Sequence, residues 1–290
     1  MVLLDFEDVA SYIALGAAAE NVVLKSHAFR LQVKILRFPL AKEKKLVAVF
    51  TFFDAVNSVK NIEPAVVDFL TDAIPIRLTN RKIAKRVSLA PAILTHLQEI
   101  ASTIEGAQLH FLESDKELSG LAEIISKAEK LRLMHPRGHA DFVNEIRWTK
   151  QENEKLRDGI DLATLDISPS ELAGLQLAKD WRAIEYLKKW KGGAAFESMS
   201  KKTIDAASAV GFITMPRHTP LDFFEGGRAV QRVWLASNQK SISFQPQSPI
   251  TFLFARLLHG NGEELPPESI RELKNLRQQF EKLFPLQLFH

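Results

Sequence analysis

One stretch of this chain occurs twice, and that constrains its fold more than any other feature. Gly16-Ala17-Ala18-Ala19-Glu20-Asn21-Val22-Val23-Leu24-Lys25-Ser26 returns 211 positions later as Gly227-Arg228-Ala229-Val230-Gln231-Arg232-Val233-Trp234-Leu235-Ala236-Ser237, with Gly, Ala, Val, Leu and Ser in register. The flanks agree as well. Each segment follows an apolar run and precedes a second apolar run that ends in proline, at Pro39 and at Pro246. The shared order of strand, small-residue helix and strand predicts a half-copy duplication; the alternative is chance likeness between two amphipathic helices.

Around these helices, short runs rich in β-branched and aromatic residues predict strands at 31–38, 46–52, 107–112, 210–215 and 241–244. Longer segments carry apolar residues at spacings of three and four. Leu118, Leu121, Ile124, Ile125, Ala128 and Leu131 form one such stripe; Ile270, Leu273, Leu276, Phe280 and Leu283 form another. Ser168-Pro169-Ser170-Glu171 and Thr149-Lys150-Gln151-Glu152 both have the form of a capping box. The helix after Thr149 is expected to close at Asp158-Gly159, and Pro266-Pro267 to open the last helix. Strands separated by helices, without a βαβ repeat or a Gly-rich nucleotide loop, favour an α+β mixed sheet flanked by helices.

Several function classes drop out early. There are no cysteines among 290 residues, which removes disulfides, thiolate nucleophiles and Cys-based metal sites and fits a reducing, cytoplasmic setting. The net charge of +3 is too mild to mark a dedicated nucleic-acid or membrane binder. No stretch reaches the roughly 18–20 uninterrupted apolar residues that cross a bilayer. No Gly-x-Ser-x-Gly elbow appears, so acyl transfer has no support. His135 and His139 have the spacing of a metal pair, but Pro136 and Gly138 predict a loop there, and no metal site is expected. Trp148, Trp181, Trp190 and Trp234 read as core anchors in helical patterns. The lysines at 188, 189, 191, 201 and 202 read as solvated faces.

Chemistry gathers at two places. Arg77-Leu78-Thr79-Asn80-Arg81-Lys82, with Lys85 and Arg86, holds five cations and no acid over 77–86. Thr79 or Asn80 can cap a helix there, and guanidinium forks at Arg77 and Arg81 can grip a phosphate. The alternative is a solvated basic helix start. Gln245-Pro246-Gln247-Ser248-Pro249 is either a polar loop holding the edge of a ligand ring or a proline-braced turn. A phosphorylated organic cofactor suits such a chain, because it brings its own reactivity.

These residues resemble the flavin-dependent nitroreductase family, and in particular its single-chain, internally duplicated branch. The likeness lies in Arg77-Leu78-Thr79-Asn80-Arg81, in Glu145-Ile146-Arg147-Trp148-Thr149 followed by Arg157-Asp158-Gly159-Ile160-Asp161, and in Gly227 to Ser237. The resemblance implies FMN as cofactor, with Arg77, Thr79 and Arg81 on its phosphate, Asn80 nearby, and Gln247 and Ser248 offering backbone N–H toward the flavin ring. It also implies a nitroreductase-like fold in which residues 1–60 are the closing half of an incomplete first copy. Residues 64–290 would be the second copy, packed with it as one body. The chain is similar to the nitroreductase-like part of fusions with an upstream ThiF-like domain, and so looks like an internal piece of a longer protein. The implied activity passes electrons from NAD(P)H through flavin to a nitroaromatic or quinone-like acceptor, with no catalytic side chain named. The alternatives are a non-catalytic flavin-sequestering or interaction module of the same fold and, more weakly, a binder of phospholigands or nucleic acid through 77–86. A homodimer or the upstream domain are the expected macromolecular partners; membrane and nucleic acid are not.

Overall fold

A computed structural model describes residues 2–43, 45–54 and 68–284; the copy boundary expected at 60–64 lies outside the described residues. Helix α1 (Val9–Ala28) leads into β1 (Leu31–Arg37) and β2 (Ala48–Asp54). A 3-10 segment, Phe69–Ile76, comes before α2 (Pro91–Ser102), β3 (Gln108–Leu112), α3 (Asp115–Leu133) and α4 (Pro136–Glu145). A smaller region follows, with β4 (Ile146–Arg147), α5 (Lys150–Leu156), β5 (Ile160–Asp161), α6 (Pro169–Leu177), α7 (Trp181–Lys189) and α8 (Ala194–Asp205). The chain then runs through β6 (Val210–Thr214), α9 (Pro220–Gln239), α10 (Pro249–His259) and α11 (Pro267–Leu283).

The class is α+β. Among the described residues, however, the strands do not join into the one mixed sheet expected from the sequence: they form three two-stranded pairs. β1 and β2 pair antiparallel from Leu31 opposite Asp54 to Arg37 opposite Ala48, and β3 pairs antiparallel with β6. β4 and β5 make a two-residue parallel contact. The strand expected at 241–244 is absent. Ser241 takes a left-handed backbone (φ 56°), and Ile242 N–H turns back to the Ser237 carbonyl, so no ladder starts there.

The two matching segments lie at the centre. α1 and α9 are each 20 residues long, and their bounds coincide at the 211-residue offset. Both end at a residue with φ near −90° (Phe29 and Lys240), followed by a left-handed one (Arg30 and Ser241, each φ 56°). They cross reciprocally. A Cβ at Gly16 would lie 2.8 Å from the Phe224 carbonyl carbon and closer still to its oxygen; a Cβ at Gly227 would meet the Ile13 carbonyl in the same way, also 2.8 Å from the carbon. Ile13 and Phe224 are themselves offset equivalents, so the contact maps onto itself when the helices are exchanged. One turn further along, Arg232 donates to Glu20 and Gln231 donates to Asn21, both at 2.7 Å, and these two pairs are equivalents of each other as well.

The main core lies beside this crossing. Leu118, Leu121 and Ile125 of α3 pack with Leu253 and Phe254 of α10 and with Leu273, Leu276 and Phe280 of α11. These are the stripes that the three-and-four spacing marks, and each fully buried Leu or Phe contributes about 1.5–3 kcal/mol of transfer free energy. The Ser168 and Thr149 capping boxes form as the sequence predicts, each side chain accepting from the backbone N–H three residues on. The helix after Thr149 ends one step earlier than expected, with Arg157 rather than Gly159 taking the left-handed capping conformation. His135 is the extended cap residue ahead of α4, and His139 lies inside that helix rather than in a loop. Pro136 occupies the first position of α4, where its missing N–H costs nothing, and Gly138 is inside the helix. No group of three or more potential metal-ligating side chains occurs among the described residues.

Candidate functional site

Residues 77–90 carry neither helix nor regular strand, so the helix start expected at Thr79 or Asn80 is not there; the next helix opens at Pro91. The physical reason is that this segment is held by long-range bonds instead. Leu78 N–H donates to Asn238 Oδ1 (3.2 Å), and its carbonyl accepts from Trp234 Nε1 (3.0 Å), both on the last turns of α9. Asn80 N–H donates to the Phe244 carbonyl (3.2 Å), and its Nδ2 donates to Ser243 Oγ (2.8 Å). Asn80 Oδ1 accepts from Lys82 N–H (3.0 Å), which leaves this side chain fully committed to structure.

The first candidate segment therefore meets residues 243–244, just ahead of the second. The 77–82 run lies along residues 243–244, and Gln247 and Ser248 follow at the head of α10. Ser248 occupies the cap position without a side-chain cap bond, and its carbonyl accepts from Thr251 Oγ1. The N–H groups of Gln247 and Ser248 are not taken by another described residue. Trp234, treated as a core anchor in the sequence, is a wall of this site: Phe244 stacks on it at 5.1 Å, and the Arg77 guanidinium lies 4.1 Å from its ring centre. Partial burial there lowers the Arg77 pKa from its ordinary value.

Arg81 is half-buried, and the side chains of Thr79, Arg81 and Gln247 have no hydrogen-bond or ion-pair partner among the described residues. Arg86, by contrast, is taken by Asp115 and the Glu113 carbonyl, which withdraws it from the cation cluster. Of the six residues singled out, Asn80 is structural. Arg77 lies on the Trp234 ring, while the side chains of Thr79 and Arg81 and the N–H groups of Gln247 and Ser248 have no partner among the described residues. Trp234, Asn238, Ser243 and Phe244 could not be picked out, because their roles depend on contacts across more than 150 positions.

Neither of two surface cavities touches these residues. One, about 330 Å³, lies between α1 and the hairpin, against Val22, Phe29, Leu31 and Phe52. The other, about 420 Å³, is lined by Phe6, Glu7, Arg137, Arg256, His259 and Glu264. Arg256 is almost fully buried there and donates to the Leu3 carbonyl through both Nε (3.1 Å) and Nη2 (2.9 Å).

Behind His259, the His218 ring stacks face to face at 3.4 Å, with Phe223 edge-on to His218 at 4.7 Å. Burial, reinforced by His259, pulls His218 down to about 4, and burial also lowers His259. For a histidine depressed in the folded state, the unfolded chain takes up protons first, below pH 6.5, so stability falls as pH drops from 6.5 toward 4. Allowing for solvent screening of these partly exposed rings, the loss is about 1–2 kcal/mol. His218→Phe keeps the stack and removes the proton site, so thermal melts of this variant should fall less steeply over that interval; equal slopes would refute the assignment.

No family model matches the chain. It is 32% identical over 208 residues to an uncharacterized protein of Mycobacterium tuberculosis, covering 72% of this chain and 28% of that protein. The chain thus spans little more than a quarter of that relative. No helix among the described residues is long and apolar enough to cross a membrane.

Proposed function

We propose that this chain is a nitroreductase-like FMN-binding unit whose parent protein passes electrons from NAD(P)H to a small nitroaromatic or quinone-like acceptor. One observation carries the reading. Asn80 is bonded to Ser243 and Phe244, a few residues ahead of Gln247-Ser248, and the side chains of Thr79 and Arg81 and the N–H groups of Gln247 and Ser248 have no partner among the described residues. The reciprocal crossing of α1 and α9 supports it, since an internally duplicated fold needs its two central helices paired in this way.

The residues fit the anionic end of the cofactor. An unpartnered guanidinium at Arg81, the Thr79 hydroxyl and a partly desolvated Arg77 are the donor set that a phosphate takes in charge-assisted bonds. When bound, the flavin supplies the hydride and electron chemistry. The chain's own part is to hold the phosphate through Arg77, Thr79 and Arg81 and to present the Gln247 and Ser248 N–H groups. The Trp234–Phe244 stack buttresses the segment that carries these cations. The second reading is a flavin-holding module of the same fold without turnover.

The test is direct. The purified chain should take up FMN and show flavin absorbance, and Arg81→Ala should weaken binding roughly 10–100-fold, the worth of a hydrogen bond to a charged group. Arg77→Ala should do the same while loosening the contact with Trp234. A chain that takes up no FMN overturns the proposal. Given FMN uptake, anaerobic bleaching by NADH or NADPH supports the oxidoreductase, whereas colour that persists leaves only the holding module.

A further inference from the structure

Helix α7 and the turn after it show a surface that does not belong to the flavin reading. The aliphatic side of α7 is used internally: Ile184 is fully buried, and Trp181 and Leu187 pack with Leu133, Ala178 and Phe196. On the outside, Tyr186 is 55% exposed and Trp190 is 76% exposed. Trp190 is therefore not the core anchor that its spacing suggests. The helix ends at Lys189, and Trp190 falls off the packed side as the capping residue.

The two exposed rings lie 5.9 Å apart at 33°, with Lys189 Nζ 5.3 Å from the Tyr186 ring centre. Lys191 is exposed beside them, whereas Lys188 lies on the Trp181 side of the helix, its Nζ 5.8 Å from that ring centre. None of these three lysines has a carboxylate within ion-pair distance among the described residues, whereas Lys201 and Lys202 are paired with Glu123 and Glu171. Glu185 is the one acid within α7. Large aromatic faces interleaved with free ammonium groups suit a partner that offers flat rings and repeated negative charge.

We infer that the Tyr186–Trp190 face, with Lys189 and Lys191, binds single-stranded nucleic acid. Bases stack on the two rings, and phosphates meet the two lysines. Single strands, unlike duplexes, present their base faces for such stacking. An anionic lipid surface has matching charge, but lipid insertion needs an aliphatic stripe, and that side of α7 is buried in its own core. This surface is distinct from Arg77 to Arg86, and its test is independent of flavin binding.

The experiment is fluorescence anisotropy of a labelled oligothymidylate of about 12 nucleotides, titrated with the full chain from about 50 mM salt upward. Binding is expected, with log affinity falling against log salt at a slope of about −1.4, as two phosphate contacts on a single strand require. The exposed-site double variant Tyr186→Ala/Trp190→Ala should lose about tenfold or more in affinity at an unchanged salt slope. Lys189→Glu/Lys191→Glu should abolish binding. The inference is overturned if the parent chain does not shift the oligonucleotide at the lowest salt, or if the double aromatic variant binds like the parent. Capture by mixed phosphatidylserine–phosphatidylcholine vesicles that depends on Trp190, without oligonucleotide binding, would overturn it in favour of a lipid surface.

Discussion

Gly16→Ala should lower stability by about 3 kcal/mol or more, and Gly227→Ala by a similar amount. Alanine is ordinarily the better helix residue, by about 0.5–1 kcal/mol in a helix interior. At these two positions that gain is overwhelmed. The new methyl meets backbone on the facing helix, at Phe224 and Arg228 for Gly16 and at Ile13 for Gly227, so no side-chain rotamer can make room. The two helices must separate, and dispersion contacts along the whole crossing weaken with distance. For a chain of this size the melting temperature should fall by roughly 6–9 °C. The double variant should cost less than the sum, because the separation forced by the first methyl already accommodates the second. Gly174→Ala in α6 is the matched control: nothing lies within 4 Å of its Cβ position, so the ordinary helix preference should show as a small gain. Equal melting temperatures for Gly16→Ala and the parent would mean that the crossing is not the close one described.

The same contact shows why the sequence was readable here and not elsewhere. The repeated Gly–Ala–Val–Leu–Ser pattern is a local signal for a helix that must approach another backbone, and at the offset it names its own partner. Local signals also located the capped helices after Thr149 and Ser168, four of the expected strands, and the stripes of α3 and α11. Strand partners were not readable, because β3 finds β6 across about a hundred residues and nothing in either pentapeptide encodes that choice. The Arg77–Arg81 cluster is visible as charge, yet its backbone was misread. Capping by Thr79 or Asn80 is a local preference, and it lost to bonds with Asn238, Ser243 and Phe244. Trp190 failed for the opposite reason: its spacing is helical, but the helix stops one residue short of it. Periodicity marks a face only as far as the helix lasts.

Glu20→Ala should cost about 2–3 kcal/mol, because it takes the buried carboxylate from two largely buried guanidinium groups and leaves them only Glu225 and Asp68. Glu20 has no exposed surface and accepts from Arg228 Nε (2.8 Å) and Arg232 Nη1 (2.7 Å). Arg232 is desolvated, yet its pKa is raised, since Glu20 and Asp68 outweigh the burial. Its Nε is buried without a partner, so without Glu20 it keeps only the 2.6 Å bond from Nη2 to Asp68. Glu20→Gln preserves shape and one acceptor, but turns an amide N–H₂ toward a guanidinium; it should lose somewhat less. The reciprocal site offers a sharper test. There the equivalents of Glu20 and Arg232 are Gln231 and Asn21, an amide pair of the same 2.7 Å geometry. Glu20→Gln/Arg232→Asn would install that pair on both sides of the crossing. If the two helices are interchangeable in their packing, the double variant should be more stable than the sum of the single losses by about 1–2 kcal/mol, with Asp68 left to solvent. Strict additivity in denaturant unfolding would show that the amide pair cannot form on this side, and that the likeness of α1 and α9 stops at the glycines.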